Sequence, residues 1–359
     1  MIDPDAFAVL IADWCLDVRP AQQIIIETTT LAEEPAVALH RAVLERGGWP
    51  LLRLTPPGID ADFFRHARDL HLDGVAPIQL AEAEAADASV RIMAPASMNP
   101  LADVDPALVS RRARAQMPLR DARSRQRWSL TIWPTPALAQ QAGMSEQDYA
   151  AFVERALFLD QPDPVAAWAR LRDQQARVIE RLAPAREVRI ETAGTDLRLN
   201  VEGRTWINSD GRRNMPSGEV FTGPHEHSAN GTIRFDVPSN GRGVDVADVE
   251  LTFRDGEVIA AHAHVGDAHL QAALATDSGS RFLGELGIGT NTGIDRATGS
   301  TLLDEKMAGT VHLALGRSYP ETGGTNSSAV HWDLICDLRK GGRVTIDGEL
   351  LIQDGRFVG

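Results

Sequence analysis

The stretch Asn214–Asp333 contains the side chains whose types and spacing could perform chemistry. Four segments within it contain carboxylates or imidazoles: NMPSGEVFTGP, FLGELGIGTN, LLDEKMAGTVHLALGRSY and NSSAVHWDL. Such donors suit Zn, Mn, Co or Fe, and three or more carboxylates favour two divalent ions that activate water and stabilise an oxyanion. We therefore expect a metal-dependent hydrolase. The candidate ligands are Glu219, Glu285, Glu305, His312, His331 and Asp333.

None of these signals is strong by itself; Glu285 is the most suggestive single carboxylate, and the His-x-Asp pair is a common but weak two-ligand pattern. Glu285 has apolar and glycine neighbours, so its carboxylate is expected to be buried, and a buried anion needs a cation close by. His331 and Asp333 alternate around Trp332, which in a strand places both side chains on one face.

Each remaining candidate also has a purely structural interpretation. Glu219 follows a Pro-Ser-Gly turn and could simply be solvated. Asp304 and Glu305 precede Lys306, so a salt bridge could explain them without a metal. His312 lies in an apolar strand, where a lone histidine is more often a core residue. The number of candidates within one strand-rich region is what favours the metal site.

Other polar residues in this region are less specific. Tyr319 follows the His312 strand and could bind metal or donate a hydrogen bond to an oxyanion, but a structural tyrosine fits the pattern equally well. His225 and His227 form a His-x-His pair, but they lie in a polar loop, and we favour a structural role for them.

The first half of the chain alternates between strand and helix patterns. The apolar run QQIIIETTT predicts a buried strand, Pro35–Arg46 a helix, Pro50–Leu54 a strand, DADFFRHARDL a helix and ASVRIMAP a third strand. This order is typical of a parallel sheet covered by helices. Since no glycine-rich phosphate motif follows the first strand, we expect a Rossmann-like α/β domain without a dinucleotide. It spans residues 1–185 and includes a helical connector at Pro164–Leu182.

The pattern changes near Ala183–Ala185 to short alternating strands and glycine turns. Asp-Gly pairs at Asp255–Gly256, Asp347–Gly348 and Asp354–Gly355 predict tight hairpins, and Asp267–Leu274 predicts a helix. Residues 186–359 are therefore expected to form a β-rich α+β domain that contains the metal site.

The composition limits the classes of partner. The 36 basic and 50 acidic residues give a formal charge of −14, which argues against nucleic acid and anionic membrane. Cys15 and Cys336 are the two cysteines and are expected to be reduced core thiols. The acidic N-terminus does not resemble a signal peptide, and apolar runs fall short of the ~20 residues that cross a bilayer. These features predict a soluble, cytoplasmic protein.

The motif set resembles the aminopeptidase T family of metallopeptidases, which includes thermophilic, AmpS-like and PepS-like leucyl aminopeptidases. The matching text runs in order through NMPSGEVFTGP, GTIRF, GELGIGTN, LLDEKMAGTVHLALGRSY, GGTNSSAVHWDL and DGELLIQDGRF. PTPALAQQAGMS and TDLRLNVEGR extend the match back through the connector, whereas the first domain matches mainly in its pattern.

The resemblance implies an exopeptidase that acts on peptides with a free N-terminus, forms homodimers, and holds two divalent ions, which are Zn, Co or Mn. It implies that Glu285 bridges the ions and that Tyr319 and Glu219 assist the chemistry. One feature departs from the family pattern: the spacing from Glu305 to His312 is longer than in members that read DENAA-x-H. Glu305 is therefore the ligand that the spacing supports least. The implied ligand set is Glu219, Glu285, Glu305, His312, His331 and Asp333.

Two alternatives belong to other functional classes. The same fold is similar to that of ring-cleaving dioxygenases for dihydroxypyridines, in which one Fe(II) is held by two histidines and a carboxylate, and His312, His331 and Asp333 could form such a set. Since a single iron does not need three further glutamates, we favour the peptidase. The second alternative is a degenerate family member that serves as a scaffold. Such a protein would lose its costly buried charges first, and because this chain retains them, we do not favour it.

Overall fold

The structure is a computed structural model that describes residues 2–241 and 244–358. Its α-helices are α1 (Pro4–Leu10), α2 (Glu33–Glu45), α3 (Ile59–His66), α4 (Asp69–Leu72), α5 (Pro77–Ala85), α6 (Pro106–Ala115), α7 (Met117–Ser124), α8 (Pro136–Gln141), α9 (Glu146–Ala156), α10 (Pro164–Leu182), α11 (Asp267–Leu274) and α12 (Thr301–Asp304). A π-helical turn, Ile11–Cys15, continues α1.

The strands alternate with helices in the first half of the chain and dominate the second. They are β1 (Gln23–Thr29), β2 (Trp49–Thr55), β3 (Ala88–Met93), β4 (Arg127–Ile132), β5 (Glu187–Thr192), β6 (Thr195–Asn200), β7 (Ile207–Ser209), β8 (Asn214–Met215), β9 (Glu219–Thr222), β10 (Asn230–Phe235), β11 (Ser239–Gly241), β12 (Val244–Arg254), β13 (Glu257–Val265), β14 (Leu283–Gly289), β15 (Thr310–Gly316), β16 (His331–Asp337), β17 (Arg343–Ile346), β18 (Glu349–Gln353) and β19 (Arg356–Phe357).

The chain divides into two compact units. The first comprises Met1–Trp168 with Gly211–Pro216, and the second Ala169–Asp210 with Ser217–Gly359. This division falls within α10, whereas the sequence placed its boundary at the end of that helix, near Ala183–Ala185. The predicted combination of an α/β region and a β-rich α+β region is confirmed.

The first unit contains a parallel sheet of order β2-β1-β3-β4-β8. Strand β1 lies between two neighbours, and its isoleucines Ile24, Ile25 and Ile26 are buried, as the continuous apolar run predicts. Helix α9 begins where predicted, because the Ser145 hydroxyl accepts a hydrogen bond from the Asp148 amide. Among the described residues, no helix is long and apolar enough to cross a membrane.

The second unit contains two antiparallel sheets. One has the order β11-β12-β10-β6-β5-β17-β18-β19, with β13 paired to β12. Its tight turns occur at the predicted Asp-Gly pairs, where Asp255, Asp347 and Asp354 all have φ near +50°.

The other sheet has the order β16-β15-β14-β9-β7 and is called here the site sheet. One face of it packs into the core of the unit through side chains such as Leu286, Leu313 and Leu334. Because side chains alternate along a strand, the residues between these leucines point to the opposite face. Those residues include the candidate ligands on β14, β15 and β16. Cys336 belongs to the core face, and both cysteines are free and buried, as predicted.

Candidate metal centre

The register of the site sheet brings ligands from separate strands together. Ala314 on β15 lies opposite Glu285 on β14 and opposite Asp333 on β16. His312 lies opposite Gly287. The small residues between the ligands keep this face open, so that long carboxylate and imidazole side chains can converge above it. The predicted placement of His331 and Asp333 on one face of a strand is observed.

Glu285 lies between two imidazoles. Its Oε1 is 3.5 Å from Nε2 of His312, and its Oε2 is 3.5 Å from Nε2 of His331. The side chain is buried, being 5% exposed. A carboxylate that presents one oxygen to each of two other donors has the arrangement needed to bridge two ions.

His331 is oriented by the backbone. Its Nδ1 lies 2.8 Å from the Arg317 carbonyl oxygen, which can only accept, so Nδ1–H is the donor and Nε2 is the atom that the neutral ring offers to a metal. Nε2 is also 3.7 Å from Oδ2 of Asp333. The ring of Tyr319 packs edge-on against the imidazole, with centroids 5.0 Å apart. The histidine is thus held in the tautomer and orientation that suit a metal ligand.

His312 and Glu219 form the other end of the cluster. Nε2 of His312 is 3.2 Å from Oε2 of Glu219, and both side chains are almost completely buried. Neither Oε2 nor the ring nitrogens of His312 make a hydrogen bond with any of the described residues. The ring occupies the space beside Gly287, where a Cβ would lie 2.1 Å from Nε2. Buried ligand atoms that lack hydrogen-bond partners and face one another suit the binding of a cation.

The turn before Glu219 is fixed by its neighbours. Gly218 has φ of +113°, and a Cβ there would lie 2.8 Å from Cβ of Asn291, so glycine is required. Asn291 donates from Nδ2 to the Ser217 carbonyl at 2.8 Å. Gln175 on α10 donates from Nε2 to the backbone carbonyl of Glu219 at 2.7 Å. These bonds hold the backbone of Glu219 at the start of β9.

Lys306 inserts its ammonium into the same cluster. Nζ donates to Oε1 of Glu219 at 2.5 Å and also contacts Oε1 of Glu305. The sequence allowed for a salt bridge from Lys306 to Asp304 or Glu305, and the structure forms it with Glu305. Asp304 instead accepts hydrogen bonds from Thr298, at its amide and its hydroxyl. The bond between Lys306 and Glu219 was not predicted, because 87 residues separate them.

The six candidates form overlapping groups of possible ligands. One group contains Glu219, Glu285 and His312 and is called here the Glu219 position. A second group contains Glu285, His331 and Asp333 and is called the His331 position. A third group contains Glu305, His312 and Asp333. Within each group the donor atoms lie within 4.8 Å of one another.

Electrostatics also favour a cation here. Burial, followed by the Glu305 and Glu285 carboxylates, raises the pKa of Asp333 to about 7. Burial and the charge of Glu219 likewise raise the pKa of Glu285. Burial alone would raise that of Glu219 too, but the charge of Lys306 and the contact with His312 lower it to about 2. The carboxylates outnumber the local cations, so nitrogen and oxygen donors with an excess of negative charge fit divalent ions.

Three other predicted residues have clear positions. Tyr319 is half-buried, with its ring against His331 and Phe221. Burial and the charges of Glu285 and Asp333 raise its pKa, so the phenol stays protonated. His225 directs Nε2 to the Glu202 carbonyl oxygen, and His227 packs on Phe282. Neither histidine belongs to a ligand group within the part of the chain that the structure describes.

Comparisons with known proteins identify the family to which the chain is similar. The profile of the family described as "Thermophilic metalloprotease (M29)" matches residues 4–357. Aminopeptidase 2 of Geobacillus stearothermophilus is 34% identical over 315 residues, which cover 76% of this chain and 75% of that protein. Aminopeptidase T of Thermus aquaticus is 30% identical over 268 residues, which cover 64% of this chain and 63% of that protein. The resemblance read from the motifs is confirmed.

Solved structures show the same fold. Wild-type AmpT from Thermus thermophilus superimposes with a TM-score of 0.84 at 24% identity, covering 99% of both chains. A 2,5-dihydroxypyridine dioxygenase from Pseudomonas putida KT2440 also matches, with a TM-score of 0.59 at 16% identity over 99% of this chain and 96% of that one. The fold of the dioxygenase is the more distant of the two.

Proposed function

Because the chain belongs to the M29 family of metallopeptidases, we propose that it is a metal-dependent aminopeptidase that removes N-terminal residues from peptides. The names of its relatives, aminopeptidase 2 and aminopeptidase T, support this activity. The observation that carries the proposal is the position of Glu285, which presents one carboxylate oxygen to each of two histidines in a buried, carboxylate-rich cluster.

The proposed centre holds two divalent ions, which are Zn, Co or Mn. One would be bound at the Glu219 position and one at the His331 position, with Glu285 shared between them and Glu305 beside them. When bound, such ions lower the pKa of water, polarise the scissile carbonyl and stabilise the tetrahedral oxyanion. The proposed ligands are Glu219, Glu285, Glu305, His312, His331 and Asp333.

The chain's own residues orient the reaction. The Arg317 carbonyl holds the His331 ring, so that its Nε2 faces Glu285 and Asp333. Tyr319 keeps its phenolic proton because its pKa is raised, so we assign it as the donor of a hydrogen bond to the substrate oxyanion. Glu219 is assigned a second role in the chemistry beside metal binding, since its lowered pKa keeps the carboxylate ionised within the cluster.

The same charges explain a preference for a free amino terminus. The cluster combines four carboxylates with one ammonium, and an N-terminal ammonium group is attracted to such a site. An acetylated terminus carries no charge and cannot make this interaction. The substrates of the proposed enzyme are therefore peptides with an unblocked N-terminus.

The test compares leucine p-nitroanilide with its N-acetylated form in the presence of Zn, Co or Mn. We expect release of p-nitroaniline from the free amine alone, and loss of that release after chelation. Glu349→Gln, an exposed carboxylate on β18, is the matched control for substitutions in the centre. Equal cleavage of both substrates would contradict the aminopeptidase, and Fe(II)-dependent oxygenation of a dihydroxypyridine without peptidase activity would replace it with the dioxygenase.

We also propose that the protein is a homodimer, which rests on the resemblance to its family. Light scattering coupled to gel filtration measures the assembly directly. Twice the mass of one chain would support the proposal, and the mass of a single chain would contradict it.

A further inference from the structure

Lys306 is an unusual residue in this chain. The protein contains 36 basic residues, of which Lys306 and Lys340 are the two lysines. Lys340 is exposed, whereas Lys306 is 2% exposed and lies within the carboxylate cluster. A buried ammonium is costly unless carboxylates compensate for it, so its position is tied to the cluster.

Lys306 pairs with two carboxylates of the centre. Its Nζ donates to Oε1 of Glu219 at 2.5 Å and contacts Oε1 of Glu305. One ammonium lies between two carboxylates in a buried position, so Lys306 is held there as the cation of an ion pair.

Glu219 is consequently shared between two cations. Its Oε1 is bound to Lys306, and its Oε2 is the oxygen that faces His312. An ion held by Oε2 at an ordinary bond length of ~2 Å would lie within roughly 7 Å of the ammonium. Two like charges at that separation in a buried site repel each other substantially.

We propose that the Lys306 ammonium acts as a fixed cation in the centre and makes its two metal positions unequal. An ion at the Glu219 position is bound more weakly than an ion at the His331 position, where the ammonium makes no bond with a carboxylate among the described residues. Lys306 is thus a positioning residue that sets metal affinity. This inference rests on the proposed two-ion centre and adds a property that the ligand set alone does not give.

The experiment is a titration of the chelator-treated protein with Co²⁺ alone, followed by calorimetry and by the visible absorption of the bound ion. For the unsubstituted chain we expect two binding steps whose dissociation constants differ by at least about tenfold. Lys306→Met should reduce the ratio of the two dissociation constants by about tenfold or more, because it removes the repulsion between the ammonium and the ion at the Glu219 position. Lys340→Met removes the same charge from an exposed turn and should leave both constants unchanged.

Lys306→Gln protects the test against misfolding of the methionine variant. Its amide can still donate a hydrogen bond to Glu219 but carries no charge, so it should narrow the gap as Lys306→Met does. If Lys306 had only a structural role, its substitution would lower stability without changing the ratio of the two dissociation constants.

Several outcomes would overturn the inference. Equal affinities in the unsubstituted chain would do so whether or not the variants fold. The inference would also fail if the Lys306 variants had the same ratio of Co²⁺ dissociation constants as Lys340→Met. Peptidase activity in those samples would leave the proposed function in place. A chain that binds no Co²⁺ and cleaves no peptide would remove both.

Discussion

Asp333 provides a test in which stability and metal binding change in opposite directions. The residue is 7% exposed, and its Oδ1 makes no hydrogen bond with the described part of the chain. Burial and the neighbouring carboxylates Glu305 and Glu285 raise its pKa from 3.8 to about 7. We predict that Asp333→Asn stabilises the metal-free protein at pH 8 and weakens metal binding, because it removes an uncompensated charge that is also a proposed ligand.

The magnitude follows from the difference between the two pKa values. A carboxyl group with a pKa near 4 in the unfolded chain and about 7 in the folded one binds its proton more tightly when folded, so stability falls as pH rises between these values and is level above them. Three pKa units correspond to about 4 kcal/mol. Allowing for relaxation of the charged site, we expect Asp333→Asn to stabilise the metal-free protein by about 2–4 kcal/mol at pH 8 and by about 1 kcal/mol at pH 5.

The assay is thermal unfolding of chelator-treated protein at both pH values, followed by circular dichroism. An increase in Tm of several °C at pH 8, with a smaller one at pH 5, is the expected result. Asp337→Asn on the same strand is the matched control: burial alone would raise the pKa of Asp337, but its hydrogen bonds from Arg339 lower it, so its substitution should not stabilise. A lower Tm for Asp333→Asn at pH 8 would refute the electrostatic reasoning.

Three further substitutions test individual parts of the centre. Glu285→Gln should lower kcat/KM by at least about 100-fold in the leucine p-nitroanilide assay while the protein stays folded, since substitution of residues that only hydrogen-bond to metal ligands already lowers activity or metal affinity about 10- to 100-fold. Full activity would contradict the bridging assignment. Tyr319→Phe should lower kcat by about 100-fold with little change in metal content, as expected for loss of one oxyanion donor; an unchanged kcat would remove that role. Gly287→Ala places a Cβ about where the His312 ring lies, so calorimetry should show weaker metal binding; unchanged affinity would mean that the ring is not held there.

The local signals in the sequence predicted most of the elements. Ser145 begins α9, the helix Pro164–Leu182 is observed with those bounds, and the Asp-Gly pairs form the hairpins. These features depend on residues close together in the chain, where capping and turn chemistry act. Helix α5 was not predicted, because its alanine-rich segment PIQLAEAEA has only a weak amphipathic pattern.

The candidate ligands could be chosen from the sequence, but their contacts could not. The choice rested on residue types and motif resemblance, and the structure brings all six residues into one cluster. The register that sets Ala314 between Glu285 and Asp333 depends on pairing of distant strands. Likewise, the bond from Lys306 to Glu219 and the space that Gly287 leaves for His312 are products of the tertiary fold.

The most direct test of the central claim is the number of divalent ions bound per chain at saturation, measured together with peptidase activity. Chelator-treated protein is dialysed against increasing Co²⁺ or Zn²⁺, and bound metal and leucine p-nitroanilide hydrolysis are determined on the same samples. The proposed centre predicts two ions per chain and activity that disappears without them. Full activity in metal-free protein, or saturation at a single ion, would contradict it.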